Sequence, residues 1–287
     1  MAFGNQRKVG RPPFLTRWGW RAGEVACHGV RGAIIVSGVC GRFPLHACLA
    51  AMGMARLAAM SPSAPDEYTL HHWHLDEAGA PFADHGNSPK PLLGLLNGAR
   101  ANQESYPGFG RAVSFDHSAG GEPLTTSLRG ALLLAQPRSV EGPADNVTPP
   151  FPIMGRGGAF TIEALVKFNR LPADAPGLAL DVVSMDGERA SRVFNFRIEK
   201  PGFLTFIPFA GENVRGGGLA TIPLAGPHAI NTRDWFHLAV TYDGNEGTPG
   251  NLKLYWTRIA PGLAAANQIG SGSLAADLST ELGDFAI

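Results

Sequence analysis

Residues 235–244 read WFHLAVTYDG, so Trp235, His237, Ala239 and Thr241 alternate with Phe236, Leu238, Val240 and Tyr242. A period of two puts the two sets on opposite faces of a β-strand, and bulky or β-favouring groups on both faces suit a strand inside a sandwich. Asp243 and Gly244 begin a turn, residues 245–250 lengthen it, and Leu252, Leu254 and Trp256 then alternate with Lys253, Tyr255 and Thr257. The pattern predicts a hairpin. In residues 159–168, AFTIEALVKF, the positions Phe160, Ile162, Ala164, Val166 and Phe168 share one face while Thr161, Glu163 and Lys167 share the other, as in a half-buried strand. Short strands are also predicted at 68–76, 111–116, 178–185, 192–200 and 202–209, with turn signals at Asp186-Gly187 and Pro201-Gly202. Residues 124–135 fit a strand or one short helix, 137–158 form a Pro/Gly-rich crossing foreign to a sheet interior, and 216–218 read as a flexible glycine turn. A meander of this kind folds as two packed sheets.

The hairpin pattern Trp-x-His-x-Ala-x-Thr-Tyr-Asp-Gly, followed by a Leu-x-Leu-Tyr strand, resembles the signature of laminin-G-like jelly-roll domains, within the concanavalin A-like lectin and glucanase superfamily. AFTIEALVKF is similar to that family's central strand, and residues 72–78, HWHLDEA, to its opening strand, with 84–88 as the following polar loop. The resemblance covers residues 68–287. It implies an all-β, two-sheet antiparallel jelly roll of concanavalin A-like type over residues 66–287. The final residues, Asp284-Phe285-Ala286-Ile287, are similar to a strand that the family continues, which implies a domain short of its last strand or strands and an unpaired edge.

Composition agrees with short strands and turns: 287 residues, 44% hydrophobic, with 37 Gly and 23 Pro. Zero formal net charge hides an asymmetry, since residues 1–64 hold eight Lys or Arg against Glu24 alone, and the remainder holds 16 bases and 23 acids. Residues 1–65 therefore read as a poorly structured basic leader. A degenerate export signal, a start placed too early and a genuine basic tail would each produce it, because Arg42, Pro44 and Arg56 interrupt its apolar runs. Cys27, Cys40 and Cys48 all lie there, at spacings matching neither a redox pair nor a zinc ribbon; Leu45-His46-Ala47-Cys48 is an imperfect lipoprotein box. An acidic body without clustered bases excludes nucleic acid as the expected partner, and no run approaches the roughly 20 apolar residues of a transmembrane helix.

Chemistry-bearing patterns are sparse. A glucanase needs two carboxylates on alternate positions of one strand, whereas Glu163 stands alone and Asp186-x-Glu188 falls in a turn. The expectation is a protein that is not an enzyme. His72, His74 and Asp76 share a strand face but spread over roughly 13 Å, too far for one ion. His237 reads as a histidine hydrogen-bonded at the sandwich surface. Asn146-Val147-Thr148 matches the glycosylation sequon. Calcium is the cofactor that the resemblance implies, with Asp84 and Asn87 as first candidates and Asp243 next, carboxylate and carbonyl oxygens being what a hard cation requires. Trp235, Tyr255 and Trp256 are the aromatic candidates for stacking on sugar rings. Taken together, these features predict a secreted or cell-surface bacterial module that binds carbohydrate or protein without catalysis. The alternative is the recognition part of, or a divergent form of, a glycan-degrading hydrolase.

Overall fold

The computed structural model describes residues 64–96, 98–115, 132–134, 153–174, 179–186, 192–210, 213–260, 263, 265–278 and 284–287. All of them fall within the second of two units, Ala64–Ile287. The expectations for residues 1–63, the glycosylation sequon, most of residues 124–135 and most of the 137–158 crossing lie outside the described residues.

The architecture is all-β and antiparallel, as expected. In chain order the strands are β1 (Gly94–Leu96), β2 (Arg100–Glu104), β3 (Arg111–Ser114), β4 (Leu132–Leu134), β5 (Phe160–Lys167), β6 (Ala179–Asp186), β7 (Phe194–Glu199), β8 (Phe203–Ala210), β9 (Asn213–Val214), β10 (Gly216–Thr221), β11 (Trp235–Tyr242), β12 (Leu252–Arg258), β13 (Gln268–Leu274) and β14 (Asp284–Ala286). A large curled sheet runs β1-β4-β14-β6-β7-β8-β10-β13-β12-β11-β5, with β9 beside β8, and β2 pairs with β3 separately. Phe160 of β5 meets Phe206 of β8 at 5.4 Å between ring centroids, although the two strands stand far apart in the sheet order. The sheet therefore folds over on itself as a β-sandwich, with one core between its layers.

The period-two reading holds for the hairpin. Phe236, Leu238, Val240 and Tyr242 of β11 join Leu252, Leu254 and Trp256 of β12 in that core, and the pairing register is continuous from Phe236 with Arg258 to Tyr242 with Leu252. Trp256 is fully buried. Its ring packs 5.0 Å from Phe236 and 5.7 Å from Phe168, and its Nε1 donates to the His228 carbonyl at 3.1 Å. Burying a large apolar side chain contributes about 1.5–3 kcal/mol.

Three local readings change. Residues 68–76 form no regular strand: only an isolated bridge joins Trp73 to Asp84, and Leu75 takes φ 59°, which interrupts extended backbone. β5, expected at the sheet centre, ends the strand order and pairs only with β11 among the described residues. The glycine run 216–218 is a strand: β10 pairs with β8 and β13, and a methyl at Gly216 would overlap the Ser273 carbonyl oxygen. Glycine there permits close approach of strands where a flexible turn was expected. The last strand, β14, lies between β4 and β6.

Candidate functional site

The expected stacking residues separate by burial. Trp256 has no free face, and Tyr255, though it points away from the main core, is 4% exposed. Burial, tempered by a hydrogen bond with the Thr241 side chain, raises the Tyr255 pKa. The sugar-stacking role expected for these two rings is therefore corrected to packing. Trp235 begins β11 half-buried, opposite Lys167 of β5. His237 is likewise inside, at 4% exposure, where a surface position was expected, and burial lowers its pKa to about 3. Its Nε2 lies 3.9 Å from Glu163 Oε2.

The expected calcium ligands do different work. Asp84 Oδ1 accepts the backbone N–H of His72 (2.7 Å) and Gly86 (2.9 Å), and Oδ2 pairs with His71 Nδ1 and accepts the Lys90 N–H, both at 2.7 Å. Burial alone would raise its pKa, but these hydrogen bonds outweigh it and hold the carboxyl below its ordinary value. A carboxylate surrounded by four N–H donors does not fit a calcium ion, and Asp84 instead fastens residues 71–90 together. Asn87 donates its Nδ2 to the Asp66 carbonyl, and Asp243 Oδ1 accepts the Asn245 N–H in a turn. Among the described residues no group of three or more His, Cys, Asp or Glu is arranged to hold a metal. His72 and His74 meet edge to face at 4.7 Å; burial, followed by the neighbouring His74 and His85, lowers the His72 pKa.

A different surface gathers most of the polar chemistry. On β7 and β8 the residues alternating with the core set point to the opposite face of the sheet, and on β6 a register irregularity between Asp181 and Val183 brings Asp181 to that face alongside Ser184. Register places Asp181 opposite Arg197, and Arg197 opposite Thr205, which in turn faces Leu219 of β10. The adjacent row carries Ser184, Asn195 and Ile207, and the row beyond Arg197 carries Glu199 and Phe203. Arg192 bonds Asp186 through both ends of its guanidinium (2.7 and 2.9 Å) and lies 3.7 Å over the Phe209 ring. Arg197 is engaged by Glu199. Both cations of this face are thus committed to carboxylates.

Two groups here stand out. Asn195 and Thr205 are 3% and 6% exposed, and neither Asn195 Oδ1 nor Thr205 Oγ1 has a hydrogen-bond partner among the described residues. Asn195 Nδ2 points to Asp181 Oδ1 at 3.5 Å, so exchanging its amide atoms would set an oxygen against a carboxylate. A buried polar atom left unpaired costs about 1–3 kcal/mol. Asp181 is exposed by surface area, yet surrounding atoms crowd its carboxyl, and this desolvation raises its pKa against the lowering effect of Arg197 and Asn195.

Neither the Asp181 face nor its orphaned acceptors figured in the sequence reading. Alternation alone assigns Asn195 and Thr205 to the non-core side of their strands, whereas Asp181 falls in step with the core residues Val183 and Met185 and is turned to the other face by the register irregularity between Asp181 and Val183, so only the pairing register makes the three neighbours. Compared with family profiles, curated proteins and solved structures, the chain matches none.

Proposed function

We propose that this protein is a non-catalytic, laminin-G-like binding module that acts outside the cell and recognises carbohydrate. The outer face of β6, β7, β8 and β10 carries the reading: the acid, amide and hydroxyl of Asp181, Asn195 and Thr205 adjoin apolar Phe203, Ile207 and Leu219. Sugars present hydroxyls at their edges and C–H groups on their faces, and a surface that mixes polar and apolar groups complements both.

One observation supports the hydrolase alternative. Asp181, with its raised pKa, shares a face with Glu199, as an acid and a second carboxylate would. Glu199 is held by Arg197, however, which suits a fixed hydrogen-bonding surface better than a nucleophile or base.

Glycan-array binding by the full chain, paired with an assay for released reducing sugar, separates these readings. Binding without turnover is expected, unchanged by a calcium chelator because Asp84 is saturated with N–H donors. Reducing-sugar release that Asp181→Asn abolishes would make the protein a hydrolase. Retention of protein ligands alone would remove carbohydrate from the proposal.

A further inference from the structure

We infer that His72, His74 and His85 form a binding site for one divalent transition-metal ion of borderline softness, zinc first among them, with imidazole nitrogens as the ligands. The site is independent of carbohydrate binding. An isolated antiparallel bridge between Trp73 and Asp84 sets the backbone here, and the His85 N–H donates to the His72 carbonyl at 2.8 Å. His72 and His74 lie two residues apart on one segment, so their side chains share a face. His71 and Trp73 take the other face, their rings stacked at 5.3 Å. His85, on the opposing segment, brings the third imidazole. Its centroid lies 4.7 Å from that of His74, which in turn lies 4.7 Å from that of His72.

Those separations fit a shared ion. With metal–nitrogen bonds of about 2.0–2.1 Å, two imidazoles on one ion, at angles between a right angle and the tetrahedral value, hold their centroids roughly 4.5–5.2 Å apart. As the rings now lie, edge to face and tilted, they are not a finished ligand set. Ring rotation completes it, and the space for that exists because His74 is half-buried and His85 exposed. The charged groups acting on His72 are His74, His85 and Asp84, so the fixed charge beside the rings is a carboxylate, which favours a cation. Neutral imidazoles suit zinc, nickel or copper, whereas calcium takes oxygens. Two neighbours drop out of the set. His71 Nδ1 is held by Asp84, and the φ of 59° at Leu75 breaks the row in which Asp76 would follow His74, leaving the Asp76 carboxylate beside Gly110. The ligand that Asp76 does not supply comes from His85 across the bridge.

Calorimetric titration of zinc chloride tests the site, using the full chain with Cys27→Ser, Cys40→Ser and Cys48→Ser to remove competing thiolates. One ion per chain should bind. His74→Gln and His85→Gln should each weaken that binding tenfold or more, since losing a group that merely orients a ligand already costs about 10–100-fold. His228→Gln, which alters a histidine outside the cluster, should leave it level. Zinc should also shift the ring-nitrogen NMR resonances of His72, His74 and His85 together, and raise the thermal midpoint of the parent but not of His85→Gln. Absence of zinc binding overturns the site. So does binding that both cluster substitutions leave intact, or ring shifts confined to other histidines, because either result puts the ion elsewhere in the chain.

Discussion

His237 and Trp256 face opposite sides of the same hairpin, and burial sets the behaviour of both. For Trp256 the outcome is packing between Phe168 and Phe236. For His237 it is a pH dependence with a definite sign. Its folded pKa, about 3, lies below the ordinary 6.5, so the unfolded chain takes up the proton first. Stability from this residue is complete above about pH 6.5 and is lost as pH falls toward 3, at roughly 1.4 kcal/mol per pH unit. Urea unfolding at pH 7 and pH 4 should show the unaltered protein losing about 2–4 kcal/mol more than His237→Gln across that interval. Parallel losses in the two proteins would contradict the buried neutral imidazole. The alternation of WFHLAVTYDG places His237 opposite the Phe236 set, but nothing in that pattern says that the second face is covered as well. Hence its surface position was misjudged while its strand face was read correctly.

At the scale of elements, the β11–β12 hairpin is joined to β13 by a backbone ladder, and one side chain reinforces the end of that ladder. Buried Asn251 donates Nδ2 to the carbonyls of Asn245 and Leu274, both at 2.8 Å, and its Oδ1 accepts the Leu274 N–H at 2.8 Å. It therefore closes the turn and pins the end of the next strand. Asn251→Ala leaves three backbone groups without this partner and is expected to cost about 3 kcal/mol in chemical denaturation, at the upper end for an unpaired buried group. Amide exchange at Leu274 should accelerate in the same variant; unchanged protection there would show that the clamp is dispensable. The hairpin itself was legible, since its turn residues and both alternating faces lie within about twenty consecutive positions. β10 was not, because three glycines carry no hydrophobic pattern and read locally as a turn. Their role as a strand depends on Ser273 and Gly272, more than fifty residues away.

For the whole molecule, β10 and β13 form the seam through which β6, β7 and β8 connect to β12, β11 and β5. A methyl at Gly272 would overlap the Gly217 carbonyl oxygen, and one at Gly270 would press on Ala220. Backbone cannot yield as a flexible side chain does. Gly272→Ala is therefore expected to destabilise the sandwich by about 1–3 kcal/mol or more, the range for overpacking, with a matching fall in urea midpoint. A variant as stable as the unaltered chain would mean that the seam is looser than its register indicates. By itself the sequence determined what depends on neighbours along the chain: the all-β class, the strands that alternate, the hairpin and its inward face. Tertiary structure decided what depends on neighbours across strands. It made Asp84 a loop fastener, buried Tyr255 and Trp256, ordered the glycine run, and brought Asp181, Asn195 and Thr205 onto one face. The physical reason is that a period of two tells which side of a strand a residue occupies, whereas burial, pairing and unpaired atoms are set by which strands lie beside and above it.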